Sequence, residues 1–268
     1  MLVCALGDLT LDVAVRLSEP IAVGGDTDAD IRVSPGGQAA NVAAWAAALG
    51  ASARFIGKHG VDDAGQLAVA GLESAGVLVL GPAGGRNGVI CSFVSPDGER
   101  SMAADRATAA ELRPEDIESK WLEDCDHLFV SGYALLREPA RSAAFRAVEL
   151  ARAEGAAISV DLGTWSAIRD AGAEQFRELV ATLAPDTVFA NEDEERVVGG
   201  PFSGVTWILK RGARGCSFDG DERAALPVAQ IVDSTGAGDA LAAGWIVGGP
   251  NLALEAAARC VSRLGSMP

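Results

Sequence analysis

The sequence predicts an α/β protein in which helices cover both faces of a mostly parallel central sheet. Short apolar runs alternate repeatedly with helical stretches, and several helical stretches lead directly into an apolar run. The chain has 268 residues, of which 49% are hydrophobic, so it can bury one large core. We therefore expect a single folded unit that spans residues 1–268.

The apolar runs and the turn residues between them give the elements in order. We predict strands at Leu2–Leu6, Ala53–Gly57, Val77–Leu80, Ala157–Val160, Thr187–Ala190 and Val205–Leu209. Helices are expected from Gly37 to about Leu49, over Asp63–Ala75, between Pro139 and Gly155, and over Glu174–Leu183. Proline opens a helix and glycine closes one readily, which places the ends of the helix between Pro139 and Gly155.

Two stretches, approximately 13–34 and 84–104, interrupt this alternation because they contain extended segments and turns but no convincing helix. The second indicates a β-hairpin with its turn at Ser95-Pro96-Asp97-Gly98. Extended segments that leave a sheet at two points can pair with each other, so we predict a small β-sheet that serves as a lid over the site. Two separate surface hairpins are the alternative. The free edges of such a lid also favour a homodimer.

Composition excludes several classes of partner. With 22 basic and 37 acidic residues the formal charge is −15, which argues against nucleic acid or an anionic membrane as the main partner. No apolar run approaches the ~20 residues of a membrane span, and the first residues lack the basic region of a signal peptide. The five cysteines are scattered, without metal-binding spacing, which is typical of reduced thiols in a cytoplasmic protein.

The segment 232–245 carries the strongest functional signal. A strand-like approach and a glycine turn precede a helical stretch, and Asp239 stands where that helix begins. The amides of Gly236, Ala237 and Gly238 can converge on an anion at a helix N-terminus. An aspartate would repel a bound phosphate, but it suits a base that removes a proton while the amides hold the developing charge, as phosphoryl transfer requires. The structural alternative is a glycine turn with Asp239 as a helix cap.

A second glycine turn, Gly36-Gly37, precedes a helical stretch of small residues in which Asn41 lies one turn in. The two glycines permit close backbone approach, and Asn41 can project its amide beyond the helix start. A helix packed tightly through alanine is the alternative. Together with Gly7 and Asp12 upstream and the turn before residue 239 downstream, the segment indicates one site.

In these segments the chain resembles the ribokinase-like family of sugar and nucleoside kinases, also called the PfkB carbohydrate kinases. Segment 36–41 is similar to the first signature of that family, and segment 233–239 closely resembles the second. Weaker matches occur in the order of the family at 57–65, 96–100, 191–194 and 210–215. The resemblance covers essentially the whole chain.

The resemblance implies a three-layer α/β core with a small β lid, and transfer of the γ-phosphoryl group of ATP to a hydroxyl of a sugar or sugar derivative. By that likeness Asp239 is the general base, and the Gly236–Gly238 amides form the anion hole. Asp12, Gly37 and Asn41 would bind the small-molecule substrate.

The resemblance also implies a set of nucleotide-binding residues, namely Asn191, Glu194, Lys210, Gly212 and Gly215. Glu194 would act on Mg²⁺, directly or through water, because Mg²⁺ usually keeps several waters. Asp233 and Thr235 correspond to positions that supply oxygens to a monovalent cation such as K⁺ in some relatives. For the segment that begins at Asn191, an acid-rich helix start is the alternative.

The chain departs from the family pattern in two places. The final helical stretch, Asn251–Cys260, is short, so no residue is assigned to the adenine base. Arg106 follows the predicted lid hairpin in an unusual context. It would either meet a carboxylate on the substrate or pair with Asp105 or Glu99.

Other functions stay open at this stage. A nucleoside kinase needs an aromatic side chain that stacks on a base, for which Tyr133, Trp165 and Phe202 are the candidates. A non-catalytic sugar- or nucleotide-binding protein is disfavoured because it does not need Asp239 beside the Gly-Ala-Gly turn. A dinucleotide oxidoreductase is disfavoured because no Gly-x-Gly-x-x-Gly turn follows the first strand.

Overall fold

Thirteen strands form two separate sheets in the computed structural model, which describes residues 1–95 and 100–268. The strands are β1 (Leu2–Leu6), β2 (Thr10–Leu17), β3 (Ala29–Gly36), β4 (Ser52–Ile56), β5 (Val77–Leu80), β6 (Gly88–Val94), β7 (Arg100–Asp105), β8 (His127–Ser131), β9 (Ala157–Asp161), β10 (Thr187–Asn191), β11 (Thr206–Lys210), β12 (Cys216–Phe218) and β13 (Asp221–Arg223). The central sheet has the order β13-β12-β11-β10-β9-β8-β1-β4-β5. Its strands are parallel from β5 to β11, and β12 and β13 add an antiparallel edge. The predicted mostly parallel sheet is confirmed.

Helices cover both faces of the central sheet. They are α1 (Gln38–Ala48), α2 (Asp63–Ser74), α3 (Gly132–Leu135), α4 (Ala140–Ala153), α5 (Trp165–Ala171), α6 (Ala173–Leu183), α7 (Glu192–Val198) and α8 (Ala237–Val261). Buried residues of α1, α2 and α8 join one hydrophobic core, and those of α3 to α7 join a second core on the opposite face. The molecule therefore has the predicted three layers.

Strand β1 shows why both faces are covered. Val3 and Ala5 belong to one core, whereas Cys4 and Leu6 belong to the other. Successive side chains of a strand point to opposite faces, so a strand without polar residues requires apolar cover on both sides.

The four remaining strands form a small sheet of order β3-β2-β6-β7. Strand β2 pairs antiparallel with β3 and parallel with β6, and β6 pairs antiparallel with β7. The two extended stretches of the sequence therefore meet in one sheet, as predicted, and the alternative of two separate hairpins is wrong. The first strand begins at Thr10, three residues before the predicted segment. The predicted turn at 95–98 falls largely on residues 96–99, which lie outside the described residues.

The approach to the glycine turn at 236 differs from the prediction. No strand forms between β13 and α8, where a strand-like segment was expected near Val232. Instead the amide of Val232 donates to the carbonyl of Val261 at 2.8 Å, so the segment is tied to the end of α8 rather than to a sheet. Helix α8 is interrupted at Gly248 and Gly249, whose backbone angles are not helical.

None of the helices in the described ranges combines the length and the apolar character needed to span a bilayer. All five cysteines are free, and four of them are buried.

Asp62 connects the start of α2 to the segment before β6. One carboxylate oxygen, Asp62 Oδ1, accepts hydrogen bonds from the amides of Gly65 and Asn87, each at 3.1 Å. The first bond caps α2, and the second holds the segment that leads into the small sheet. Asp62 thus joins the lid to the core.

Replacement of Asp62 by alanine is expected to lower the free energy of unfolding by about 1–2 kcal/mol, the typical effect of losing a helix cap. Urea denaturation followed by circular dichroism measures it. Asp63→Ala is the matched control, since Asp63 is exposed in the same helical turn; we expect a change below about 0.5 kcal/mol there. Equal losses in the two variants would contradict the assigned role of Asp62.

Candidate active site

The polar residues of the candidate site follow the carboxyl ends of neighbouring parallel strands. Asp8 comes two residues after β1, Tyr133 follows β8, Asp161 ends β9, and Lys210 ends β11. The carboxyl ends of parallel strands meet at one edge of the sheet, where open α/β folds bind ligands. The order of the strands therefore brings together residues that are far apart in the sequence.

Asp239 lies in the first turn of α8, as the sequence predicted. Gly236 precedes this helix with φ 78°, a left-handed conformation that glycine adopts readily. The Asp239 Oδ2 atom accepts a hydrogen bond of 2.7 Å from Asn41 Nδ2. Ser266 Oγ donates to Asn41 Oδ1 at 3.0 Å, which fixes the orientation of the amide group. The hydrogen bond between Asn41 and Asp239 thus joins the two helices that follow the glycine turns of the sequence.

Burial, and after it the nearby carboxylate of Asp161, raises the pKa of Asp239, whereas the bond from Asn41 and the charge of Lys210 lower it; the resulting pKa is about 7. A carboxyl group with a pKa near neutrality can accept a proton under physiological conditions. This is a property that a simple helix cap does not need.

Lys210 supplies a positive charge beside the start of α8. Its Nζ atom donates to Asp161 Oδ2 at 2.6 Å, and Asp161 is fully buried. The same Nζ atom would lie 3.3 Å from a Cβ atom at Gly238, so the ammonium group adjoins the predicted anion hole. Burial lowers the pKa of Lys210, but the carboxylates of Asp161 and Glu194 outweigh it and hold the pKa above its ordinary value. Asp161 was not identified from the sequence.

The amides of the glycine turn are only partly available to an anion. The first amides of a helix have no partner within the helix, so the amides of Ala237 and Gly238 are available to an anion. The amide of Ala237 also makes a long bond of 3.4 Å to the carbonyl of Ser234. The anion hole itself stays a prediction.

Asn191 and Glu194 form a reciprocal cap at the start of α7. Asn191 Oδ1 accepts from the amides of Asp193 and Glu194, while the two oxygens of Glu194 accept from the amide and side chain of Asn191 at 2.8 Å. The alternative of an acid-rich helix start therefore describes part of their role. Burial raises the pKa of Glu194 to about 7, against the lowering effect of Lys210.

The loop after β11 contains the other predicted nucleotide residues. Gly212 and Gly215 close a tight turn, in which the amide of Gly215 donates to the carbonyl of Gly212 at 3.0 Å. Arg211 pairs with Glu222, and Arg214 pairs with Glu192. The charges of Lys210 and Glu194 interact, since each shifts the pKa of the other. The two glycines form the turn that follows Lys210.

On the opposite side of Asp239, Asp12 enters from strand β2 of the small sheet. Its Oδ1 atom accepts a hydrogen bond of 2.7 Å from Thr10 Oγ1, and a Cβ atom at Gly36 would overlap its carboxylate. Burial raises the pKa of Asp12 to about 6, with a lowering contribution from the Thr10 hydroxyl. Gly37 has φ 100° and packs against the backbone of Asp8. Asp12 therefore lies against the Gly36-Gly37 turn, and the binding of substrate by Asp12, Gly37 and Asn41 stays a prediction.

Arg106 does not pair with Asp105, one of the two neighbours considered from the sequence. The other, Glu99, lies outside the described residues. It forms an ion pair with Asp8, and its guanidinium group lies 3.7 Å from the centre of the Tyr133 ring. Asp105 pairs instead with Arg86 at 2.7 Å. The expected pairing of Arg106 with Asp105 is therefore wrong, because the side chain of Arg106 is directed towards the end of β1.

The aromatic residues considered for base stacking are distributed unevenly. Tyr133 lies in the site, but Arg106 covers one face of its ring. Phe202 is buried and packs against Trp207, with ring centres 5.9 Å apart. Trp165 is exposed and carries Arg169 over its ring.

Asp233 and Thr235 hold the loop before α8. Asp233 Oδ1 accepts from the amide and hydroxyl of Thr235 at 2.8 and 2.6 Å, and Asp233 Oδ2 accepts from the amide of Gly265 at 2.9 Å. Protein donors therefore already occupy three acceptor positions of this carboxylate, and its role as a cation ligand stays a prediction. Within residues 1–95 and 100–268 no group of three or more His, Cys, Asp or Glu residues could hold a metal ion.

Comparison with known proteins identifies the family. Residues 2–267 match the model of the pfkB family carbohydrate kinases. The chain is 32% identical to an ATP-dependent ribose-1-phosphate kinase from Halopiger xanaduensis, over 96% of this chain and 90% of the relative. The chain belongs to the pfkB family of carbohydrate kinases. It is therefore a carbohydrate kinase, an ATP-dependent phosphotransferase with an alcohol group as acceptor.

Solved structures have the same fold. The kinase superposes on an adenosine kinase from Sinorhizobium meliloti with a TM-score of 0.88, at 24% identity, covering 99% of this chain and 95% of that one. It superposes on a putative ribokinase II from E. coli in complex with ATP and Mg²⁺ with a TM-score of 0.82, at 23% identity, covering 99% and 94%. The predicted ribokinase-like architecture is confirmed.

Any step that needs the ionised carboxylate of Asp239 is expected to accelerate as the pH rises through about 7, since the pKa of this group is raised to about 7. Because the bond from Asn41 lowers that pKa, Asn41→Leu should move the acidic limb of the kcat/KM profile to higher pH. Initial rates between pH 5 and 9 measure the midpoint.

Asn251→Leu is the matched control for this profile, because Asn251 bonds to Arg223 on the surface and should leave the midpoint unchanged. A midpoint that stays the same in Asn41→Leu would show that the group controlling the profile is not Asp239.

Proposed function

We propose that this kinase transfers the γ-phosphoryl group of ATP to a hydroxyl of a small sugar or sugar derivative, with Asp239 as the general base. The observation that carries the assignment is the position of Asp239 in the first turn of α8, bonded to Asn41 at 2.7 Å and with its pKa raised to about 7. A base, an anion-binding helix start and a cation are then adjacent, as phosphoryl transfer requires.

Different residues carry out different parts of the reaction. Asp12, Gly37 and Asn41 orient the acceptor so that the reacting hydroxyl faces Asp239. Asp239 Oδ1 or Oδ2 takes the hydroxyl proton as the new O–P bond forms and the bond between the γ-phosphorus and the bridging oxygen breaks. ADP leaves with that oxygen, and the proton stays on the Asp239 carboxyl group. The amides of Gly236, Ala237 and Gly238, together with Lys210, stabilise the negative charge on the transferring group.

Nucleotide binding is assigned to the opposite side of the turn. Lys210 is the cation that neutralises the phosphates, and Gly212 and Gly215 keep the loop after β11 close to the nucleotide. Asn191 and Glu194 stabilise the start of α7 near these phosphates.

Magnesium fits this donor set only as an ion held mainly by the nucleotide and water. Both oxygens of Glu194 already accept hydrogen bonds from Asn191, so Glu194 would act on Mg²⁺ through water. When bound, the ion neutralises charge on the β- and γ-phosphates. No step is derived through K⁺, and dependence on potassium stays a prediction from the family likeness.

Residues 1–268 form one kinase domain in this proposal, and segments 13–34 and 84–104 form its lid. A cytoplasmic location is supported by the five free cysteines. The proposed partners are a small-molecule acceptor and a second copy of the chain.

The decisive assay combines ATP and Mg²⁺ with a panel of free sugars, ribose 1-phosphate and nucleosides, and detects both ADP and the phosphorylated acceptor by mass spectrometry. We expect a phosphorylated sugar or sugar derivative. Asp239→Asn should lower kcat by about 10²–10⁴-fold, the usual contribution of a general base, while the KM for ATP changes little.

Asp63→Asn is the matched control, since it makes the same substitution in the first turn of α2 and should leave kcat unchanged. Preference for a nucleoside would establish the nucleoside-kinase alternative. ADP without any phosphorylated acceptor, or near-normal turnover by Asp239→Asn, would contradict the proposal.

The homodimer through the lid is tested by mass. Strand β3 is an edge strand, and its Ile31 and Val33 side chains are more than half exposed. We expect light scattering at micromolar concentration to give the mass of a dimer, and Ile31→Lys to give that of a monomer. Leu78→Lys is the control on β5, the edge strand of the central sheet. A monomeric wild-type protein would contradict the dimer.

A further inference from the structure

Asp8 is a buried carboxylate at the acceptor side of the site, and the phosphoryl-transfer step described above does not use it. The residue is 5% exposed. Its Oδ2 atom accepts a hydrogen bond from Arg106 Nη1, whereas its Oδ1 atom is buried and has no hydrogen-bond partner among residues 1–95 and 100–268. Leaving a buried acceptor without a donor is unfavourable, so a donor from a ligand is expected at this atom.

Arg106 holds Asp8 in a fixed orientation. The guanidinium group is bonded to Asp8 and lies 3.7 Å from the centre of the Tyr133 ring, a distance typical of a cation–π contact. Arg106 comes from the end of strand β7 in the small sheet, Asp8 from the end of β1 and Tyr133 from α3. The three residues thus join the lid to the core at this point.

The carboxyl group of Asp8 lies close to one of the proposed acceptor residues, Gly37. A Cβ atom at Gly37 would lie 3.4 Å from the carboxyl carbon of Asp8. The charge of Asp8 also contributes to raising the pKa of Asp12 and that of Asp239, although burial is the larger cause for each. Asp8 therefore lies near both the substrate aspartate and the base.

We infer that Asp8 is a second substrate-binding carboxylate, whose Oδ1 atom accepts a hydrogen bond from a hydroxyl of a neutral polyhydroxyl acceptor. The same carboxylate makes the pocket select against acceptors that carry a phosphate or carboxylate group. This inference rests on the proposed function and adds the substrate class and one residue to it.

The balance of charge supports a neutral acceptor. Asp8, Asp12 and Asp239 bring three carboxylates to this side of the site, where Arg106 is already paired with Asp8. Lys210, beside the start of α8, is already paired with Asp161. An anionic group could reach Arg106 only by displacing Asp8. Both oxygens of a buried carboxylate would then lack a partner, which is strongly unfavourable. A hydroxyl donor, by contrast, satisfies the free oxygen of Asp8 without disturbing the pair.

The test compares matched acceptors with the wild-type kinase, ATP and Mg²⁺: ribose with ribose 1-phosphate, fructose with fructose 6-phosphate, and 2-deoxyglucose with 2-deoxygluconate. We expect the preferred acceptor to be neutral, with a kcat/KM at least about tenfold above that of its anionic counterpart, since a hydrogen bond to a charged group is typically worth that factor or more.

Asp8→Asn tests the residue itself. Arg106 can pair only with the amide oxygen, so the NH₂ group would face the acceptor where an oxygen stood before. The KM for the neutral acceptor should rise about 10- to 100-fold, the preference over the anionic acceptor should shrink, and the KM for ATP should stay unchanged. Asp126→Asn is the control, because Asp126 caps the opposite end of β1 by accepting from the amide of Leu2 at 2.6 Å.

Two results would overturn the inference while leaving the kinase intact: a wild-type preference for the anionic member of a pair, or an Asp8→Asn variant with an unchanged acceptor KM. If Asp8→Asn does not fold, as judged by thermal unfolding, the wild-type preference still decides the substrate class. A wild-type protein that phosphorylates no acceptor at all would instead count against the proposed function.

Discussion

The site depends on the burial of the Asp239 carboxylate beside a small set of fixed charges. In water this group would be ionised and weakly basic, but burial and Asp161 raise its pKa to about 7, while Asn41 and Lys210 keep it from rising further. The arrangement has a consequence for stability. Because the folded-state pKa exceeds the ordinary value of 3.8, ionisation of Asp239 destabilises the fold progressively as the pH rises from about 4 towards 7. Strongly shifted pKa values are concentrated at functional sites.

The fold supplies these charges by topology rather than by sequence proximity. Parallel strands place Asp161 and Lys210 at one edge of the central sheet, and the start of α8 brings Gly238 against the ammonium group of Lys210. The small sheet contributes Asp12 and Arg106 from the other side. Under the proposed function, both the core and the small sheet therefore contribute residues that contact the acceptor.

The sequence was sufficient for most of the architecture because apolar runs and glycine stops are local signals. Strand β1 and helix α1 lie where these signals placed them. Strand β8 was not predicted, since its short apolar run follows an acidic stretch without a clear turn. Val232 was expected in a strand, but a tertiary bond to Val261 decides its conformation. The signature segments identified Asp239 and Asn41. The positions of Asp161 and of Asp8, the partner of Arg106, depend on which strand ends become neighbours, and a local pattern does not contain that information.

The most direct test of the central claim is the titration of Asp239 itself. Carbon-13 NMR of protein labelled at the aspartate carboxyl carbons, with the Asp239 signal assigned from its absence in Asp239→Asn, reports the protonation of this group between pH 3 and 9. We expect a midpoint of about 7. A midpoint near the ordinary value for aspartate, about 4, would show that the surroundings of Asp239 do not hold it as a base, and would contradict its proposed role.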